Sequence, residues 1–568
     1  MLHFSPIAPS SLDDRLDAAG RHANVGAVFS FEHGLILLLL IAGLSVVGRW
    51  LPWPLAITYL LGGAAATQLP AFPRLVLDPE SFFLCFLPPL LFADGWLMPL
   101  REFIRARRAI LTLAVGLVIF TMVTVGFVAW WLVPGLPLSM AFALGAIVSP
   151  TDAVAVSAIT SRLRVPARLV TVLNGESLMN DATGLVAFKF ALLAAVAGSF
   201  SLGHFVAGFA LVAAGGFGTG LAIGYGIGKV RDLLRRVDAG APTVEITLSL
   251  MTPYAAYLAA EHLGFSGVLS VVAAGLYSGW RDPVRMDVET RQSAFAVWGL
   301  LVFWLNGTAF VLLGLQFPVL FAAGLASHSA AHLLGLTLAV AGTAMVARLA
   351  WVFAGLYVPV LFHGVCRQEA RAPTGLVMGW AGMRGTVTLA GALSIPYLMP
   401  DGQPFPGRNI VIFLAFGVIV VTLLVQGTTL ERLIHRVGLR EDTARGKEEL
   451  LARRAAVAAG LAALRKLEPE AKTPDHNAAL GHVIGEYENR LAVLESEGET
   501  RTSARRRRRA GHRYRSIALK AERTAVDGLW RENQIADEVH RPLQLLLDHE
   551  EALLLAGPPP SEDEGVAT

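Results

Sequence analysis

Asn174-Gly175-Glu176-Ser177-Leu178-Met179-Asn180-Asp181 lies within an otherwise apolar segment, Val165 to Gly198, that is long enough to cross a bilayer. An ionisable group at membrane depth costs about 2.5–3.5 kcal/mol on insertion scales, so such groups are rare there and serve function. On a helix, Ser177 and Asp181 are four apart and share a face, and Glu176 and Asn180 share the next stripe round. The segment therefore presents a carboxylate with a hydroxyl beside a carboxylate with an amide. Hard oxygen ligands suit a small cation, and a carboxylate also suits a proton.

The rest of the chain has the composition this reading needs. Of 568 residues, 54% are hydrophobic and 16% charged, with a mean hydropathy of +0.55; soluble domains carry about 25% charged residues. The two cysteines, Cys85 and Cys366, give neither a disulfide framework nor a metal spacing. Residues 1–30 lack a basic region followed by a short apolar stretch and a cleavage site. They read as an N-terminal extracytoplasmic segment ahead of a first retained span, Phe31 to Val47.

Apolar runs recur from Phe31 to about Ile434, broken at Pro, Gly and Arg clusters. Thirteen are expected, centred near Leu40, Leu61, Pro89, Phe120, Val148, Leu185, Ala213, Pro253, Val272, Phe303, Val346, Arg384 and Val420. With the N-terminus outside, the cytoplasmic loops hold 17 Lys/Arg, including Arg101, Arg105, Arg162, Arg164, Arg367 and Arg371, against only Arg74 and Arg408 outside. That is the positive-inside bias of an inserted protein. Thirteen spans divide as six, a linker span and six, so the expected fold is an all-α polytopic membrane protein built as two six-helix inverted repeats. Spans five and twelve are both interrupted, at Ser149-Pro150-Thr151-Asp152 and Gly382-Met383-Arg384-Gly385; paired interruptions point to a transporter's binding site. Residues 31–436 are thus read as a transmembrane transporter domain and 437–568 as a cytoplasmic helical tail. The tail holds 21 Lys/Arg and 23 Asp/Glu, with helical patterns at Leu450–Leu467, His482–Leu494 and Tyr514–Leu555, a break at Pro474, Asp475 and Asn477, and a disordered end from Gly557.

Pro150 has no amide hydrogen, so the Ala146 carbonyl loses its helical partner and the helix opens before Thr151 and Asp152. Freed backbone groups at this depth must line a cavity or meet a ligand, which makes Thr151 and Asp152 oxygen donors facing Ser177 and Asp181. Arg384, mid-span and permanently charged, needs an anion, and Glu176 is its expected partner in a structural clamp. Asp94–Arg348 and Glu245–Lys189 are further possible pairs, and Asn306 reads as interhelical glue. The glycines at Gly215, Gly216, Gly218 and Gly220 read as a close-packing face rather than a phosphate loop. His328 and His332 lack a third metal ligand. The run Arg505 to Arg509, tethered under a membrane, reads as a contact for anionic lipid or a solvated face, with no nucleic acid expected.

Three motifs in order resemble the first branch of the monovalent cation/proton antiporters, the sodium/proton exchangers. They are Phe142-Ala-Leu-Gly-Ala-Ile-Val-Ser-Pro-Thr-Asp-Ala-Val-Ala-Val156, Gly175-Glu-Ser-Leu-Met-Asn-Asp-Ala-Thr183 and Trp380-Ala-Gly-Met-Arg-Gly-Thr386. Leu87-Pro-Pro-Leu-Leu-Phe92, Phe265-Ser-Gly-Val-Leu-Ser270 and Val311-Leu-Leu-Gly-Leu-Gln316 are similar as well. The resemblance implies that Asp181 exchanges a cation for a proton, with Asp152, Ser177 and the Thr151 carbonyl completing the Na+ shell. It implies that Glu176 and Arg384 form a structural pair, and that Asn180, where the electrogenic branch has a second Asp, marks an electroneutral one-for-one exchanger. It further implies a homodimer in the inner (plasma) membrane, a moving core bundle beside a dimerisation bundle, and no cofactor beyond the transported Na+ and H+. K+/H+ exchange is the alternative, and an organic-anion symporter on a similar fold is disfavoured by the cluster of acids. An intramembrane hydrolase would need a nucleophile with a His or metal set, which the spans lack.

Overall fold

The computed structural model describes residues 31–51, 53–68, 79–160, 163, 165–197, 202–237, 240–325, 329–357, 372–439, 443–470, 473–495, 498–532 and 534–555. The N-terminal segment 1–30, the loop residues Arg74, Arg162, Arg164, Arg367 and Arg371, His328, the side chains of Arg505–Arg509 and the end from Gly557 lie outside the described residues.

The fold is all-helical, with a single isolated β-bridge, Leu398 to Pro404, among the described residues. The chain forms two compact units, Met1–Glu441 and Asp442–Thr568. In the first, α1 is Phe31–Gly48, α2 Leu55–Ala66, α3 Pro79–Leu97 and α4 Leu100–Leu132, the last carrying a π-turn at Thr112–Leu117. An interrupted helix follows, α5a Leu138–Val148 and α5b Ala153–Thr160, then α6 Ala167–Ala197. Next come α7 Leu202–Arg236, α8 Pro242–His262, α9 Gly267–Arg285, α10 Val288–Leu325 and α11 Ala330–Tyr357. A second interrupted helix, α12a Ala372–Trp380 and α12b Thr386–Leu393, leads to α13 Arg408–Val437. Among the described residues, seven helical stretches are long and apolar enough to cross a membrane: α4, the α5 pair, α6, and most or all of α7, α10, α11 and α13; Gly34–Gly48, Leu55–Ala66 and Phe83–Leu97 are shorter apolar helices. Every centre expected from the hydropathy lies on a helix, save Arg384, which lies in the break of α12.

In lipid there is no hydrophobic drive between helices, so close backbone approach through small residues holds them together. A Cβ on Gly63 would meet the Val311 carbonyl oxygen at 2.3 Å and one on Gly314 the Leu60 oxygen at 2.1 Å, which locks α2 to α10. Gly275 and Gly279 do the same for α9 against Phe92 and Trp96 of α3. Gly216 and Gly220 set α7 against the carbonyls of Ser266, the N-cap of α9, and Ser270, and Gly215 packs on Phe265, whereas Gly218 faces open space, so three of the four glycines form the packing face.

The second unit holds α14 Thr443–Lys466, α15 Pro474–Glu495, α16 Gly498–Arg531 and α17 Asp537–Leu555. Pro474 and Asp475, expected as a break, instead open α15, because Pro is preorganised for a first helical turn and Asp suits its positive end. The expected single helix from Tyr514 to Leu555 is two. α16 starts earlier, and the chain turns between Arg531 and Asp537, with the Gln534 amide donating to the Leu529 carbonyl at 2.8 Å. Arg523 bridges to Asp548 and Glu551 at 2.6 and 2.8 Å, tying α16 to α17.

Candidate cation site

The breaks of α5 and α12 meet. The Asp152 amide donates to the Met383 carbonyl at 2.8 Å, joining the two unwound stretches backbone to backbone. Around this joint several main-chain groups released by unwinding have found partners, as burial in a membrane favours. The Ala146 carbonyl, orphaned by Pro150, accepts from Ser149 Oγ at 2.7 Å. The Pro150 carbonyl accepts from Arg384 Nη1 at 3.3 Å. The Arg384 amide donates to Thr422 Oγ1 on α13 at 3.1 Å.

Helix α6 supplies the remaining partners from the stretch 177–180. Ser177 Oγ donates to the Thr151 carbonyl and accepts from the Ala153 amide at 2.9 Å. Asn180 Nδ2 donates to Thr151 Oγ1 at 2.8 Å, and its Oδ1 accepts from the Thr151 amide at 3.4 Å. Asn180 is thus a splint for the break in α5. Asp152 caps α5b: its Oδ1 accepts from the Val154 and Ala155 amides at 2.8 and 3.2 Å, while its other oxygen is left for the pocket. That oxygen lies so close to Gly385 that a Cβ there would be 2.1 Å away.

Asp152, Asp181, Ser177, Thr151 and Pro150 line one pocket. Four further polar residues join them, Thr386 and Thr388 of α12b among them. Asp94 on α3, which the sequence left as one possible partner of Arg348, lies on the pocket wall, as does Asn306 of α10, expected as interhelical glue. Asp94 was visible as a mid-span acid, but nothing in the sequence says that α3 crosses next to both breaks. Three carboxylates therefore face a pocket with no basic side chain in its lining. They do not form a cage, since among the described residues no three His, Cys, Asp or Glu groups are arranged to hold a metal together. An ion here would take carboxylates together with neutral oxygens.

The clamp differs from expectation. Glu176 pairs with Arg348 of α11, not with Arg384: Arg348 Nη1 meets Glu176 Oε1, and Nη2 donates to Oε2 at 2.9 Å. Arg348 also donates to the Met378 carbonyl of α12a from Nε and Nη2, at 3.2 and 3.1 Å. Both partners are 1% exposed. The bidentate fork thus joins α6, α11 and α12a and takes Glu176 away from the pocket. Arg384, 2% exposed, makes no salt bridge among the described residues, and its Nε has no partner. Its positive charge sits behind the Pro150 carbonyl.

The other pairings also differ. Lys189 bridges to Glu261 at 2.9 Å on a part-exposed surface. Glu245 is held by Arg235 at 2.5 Å and faces Arg231, which reaches Asp282 at 3.0 Å. This buried network joins α7, α8 and α9 away from the pocket.

The sodium/hydrogen exchanger transmembrane model matches residues 34–436. The sodium, potassium, lithium and rubidium/H(+) antiporter of Bacillus pumilus (strain SAFR-032) is 36% identical over 524 residues, 90% of this chain and 76% of that protein. The uncharacterized Na(+)/H(+) exchanger YjcE of Escherichia coli (strain K12) is 36% identical over 544 residues, 92% of this chain and 98% of that one. Among solved structures, the sodium proton antiporter MjNhaP1 of Methanocaldococcus jannaschii at pH 8 superposes with a TM-score of 0.54 at 20% identity, over 71% of this chain and 97% of that one, which shows a common fold. The chain, a multi-pass membrane protein with a pocket of carboxylates at the meeting of two interrupted helices, belongs to the sodium/hydrogen exchanger family.

Proposed function

We propose that this protein is a secondary active antiporter that exchanges one monovalent cation, Na+ before others, for one H+, in the service of pH and sodium homeostasis. The observation that carries this reading is the pocket lined by Asp94, Asp152 and Asp181 with no basic side chain. Like charges so placed repel one another, and burial penalises each bare charge, so the pocket favours a positive occupant. Asp181 is 7% exposed and receives no hydrogen bond from a described residue, which leaves its carboxylate for the transported species. Asp152 adds its free oxygen, Ser177 a hydroxyl and Thr151 its carbonyl.

A proton or a cation neutralises Asp181, and only a neutralised site passes the apolar barrier cheaply. Exchange follows from that rule. Asn180 carries no charge that titrates, which supports a one-for-one stoichiometry. The name of the Bacillus pumilus relative includes potassium and rubidium, so K+/H+ exchange is the second reading. The two interrupted helices support an inverted arrangement of two six-helix halves, and the loop charges support an outside N-terminus and a cytoplasmic tail. Assembly as a homodimer, and operation with no cofactor beyond the transported ions, belong to the same proposal.

The test is proton flux in proteoliposomes driven by Na+, Li+, K+ or Rb+ gradients in turn, with membrane potential clamped. Flux with Na+ that is indifferent to potential is expected. No flux with any of the four ions would overturn antiport.

A further inference from the structure

We propose that Thr388 is a specificity-determining residue of the cation pocket: its hydroxyl is a neutral ligand of the transported ion, direct or through one of the ion's own waters, and sets the preference among alkali cations. This rests on the antiport reading above. The observation is an exception to a pattern. A threonine in a membrane helix returns its hydroxyl to the carbonyl four residues back, where no water competes. Thr124, Thr171, Thr183, Thr219 and Thr252 do so at 2.7–3.1 Å.

Thr388 does not. It sits in the first turn of α12b, so the residue four back is Arg384, in the unwound stretch, and no helical carbonyl lies beneath its hydroxyl. Thr388 is 1% exposed, and its Oγ1 has no hydrogen-bond partner among the described residues. Leaving a buried hydroxyl unmade costs about as much as losing a hydrogen bond, so a valine would pack there at no loss. Yet Thr388 lines the same pocket as Asp152, Asp181 and Ser177. The break in α12 thus does two jobs: it brings Gly385 against Asp152 and strips Thr388 of its local acceptor, leaving an oxygen beside the site.

A neutral oxygen affects cation and proton differently. A proton needs one carboxylate oxygen, whereas an alkali cation needs several oxygens, and its size decides how well a given set fits. Loss of the Thr388 hydroxyl therefore weakens cation binding without altering how Asp181 takes up a proton. A merely structural role would not separate the two.

The experiment compares the full-length parent with T388V, T388C and T388S in proteoliposomes, measuring apparent KM for Na+, Li+ and K+ and the pH profile at saturating cation. In T388V the KM for Na+ should rise about five- to tenfold, the Na+ over K+ preference should change, and the pH optimum should stay. T388S, which keeps the hydroxyl, should restore the parent's preference. T388C, which differs from T388S only in a thiol that is a poor alkali ligand, carries the same test if T388V fails to fold. Parent-like KM values and preference in T388V or T388C would overturn the proposal, as would a shifted preference in T388S. Absence of exchange in the parent would overturn the antiport reading itself, and this inference with it.

Discussion

Glu176 and Arg348 meet through both carboxylate oxygens, each residue 1% exposed, at a point where α6, α11 and α12a converge. Arg384, the other mid-span guanidinium, reaches the Pro150 carbonyl instead. One arginine therefore fixes the helices around the pocket, and the other supports the break that builds it.

A double-mutant cycle separates the two roles. Removing one partner of a buried pair leaves an uncompensated charge and costs roughly 3–5 kcal/mol. Glu176→Gln and Arg348→Ala should each lower Tm in detergent, and the double variant should fall well short of their sum. Glu176→Gln with Arg384→Ala should show the smaller coupling. A coupling larger with Arg384 than with Arg348 would show that the clamp is assigned to the wrong arginine.

Gly385→Ala should abolish exchange while the protein still assembles. The backbone there has φ −135°, open to any residue, so the demand is for space and not for conformation. The added Cβ would lie 2.1 Å from Asp152 Oδ2, the oxygen facing the pocket. The substitution must push Asp152 out of place or spread the two breaks apart. Monodisperse Gly385→Ala with parental transport would rule out that geometry.

Asn180→Asp should be tolerated. The Thr151 amide can still donate to one carboxylate oxygen, and the Thr151 hydroxyl, which now accepts from Nδ2, can rotate to donate to the other. Expression and Tm near the parent's are expected, whether or not current then accompanies exchange. Collapse of the protein would mean that the amide hydrogen itself is indispensable.

In the tail, His540 donates to Asp527 at 2.9 Å and stacks on Trp530, with ring centroids 4.8 Å apart. The hydrogen bond from His540 holds the Asp527 carboxyl below its ordinary range. A depressed folded value means the contribution is present above the unfolded carboxylate range and is lost as pH falls through the folded value. Asp527→Asn should therefore speed amide exchange across α16 and α17 of the full chain at neutral pH, and the difference should vanish in acid. A difference that grew on acidification would reverse this assignment.

What the sequence made legible was whatever a helix or a single residue dictates locally. Pro150 had to open α5, and Ser177 and Asp181 had to share a stripe. The break at Arg384 followed from two glycines and a charge inside an apolar run. Partner choice was a different matter. Two arginines and several acids lie mid-span, and which of them meet depends on how α3, α6, α11 and α12 cross. Thus Arg348, not Arg384, takes Glu176, and Asp94 joins the pocket rather than bridging to Arg348. Thr388 was silent for a similar reason, since a threonine means nothing until its local carbonyl is known to be displaced.

Asp181 is the residue on which the exchange mechanism stands or falls. It shares the pocket with Asp94 and Asp152 and takes no hydrogen bond from a described residue, so no described residue balances its charge locally. If one carboxylate serves both ions, the apparent cation affinity must fall as pH falls, because protons occupy it first. Activity must also fall in alkali, where no proton is left to bring the site back. Asp181→Asn should abolish exchange, since an amide neither titrates nor balances a cation, while its near-equal volume should leave Tm close to the parent's. Asp181→Glu should keep a small fraction, with the charge preserved but displaced by one methylene. The measurement is cation-driven proton flux in proteoliposomes across the pH range at clamped potential. Robust exchange by Asp181→Asn, or a parental cation affinity indifferent to pH, would end the shared-carboxylate mechanism.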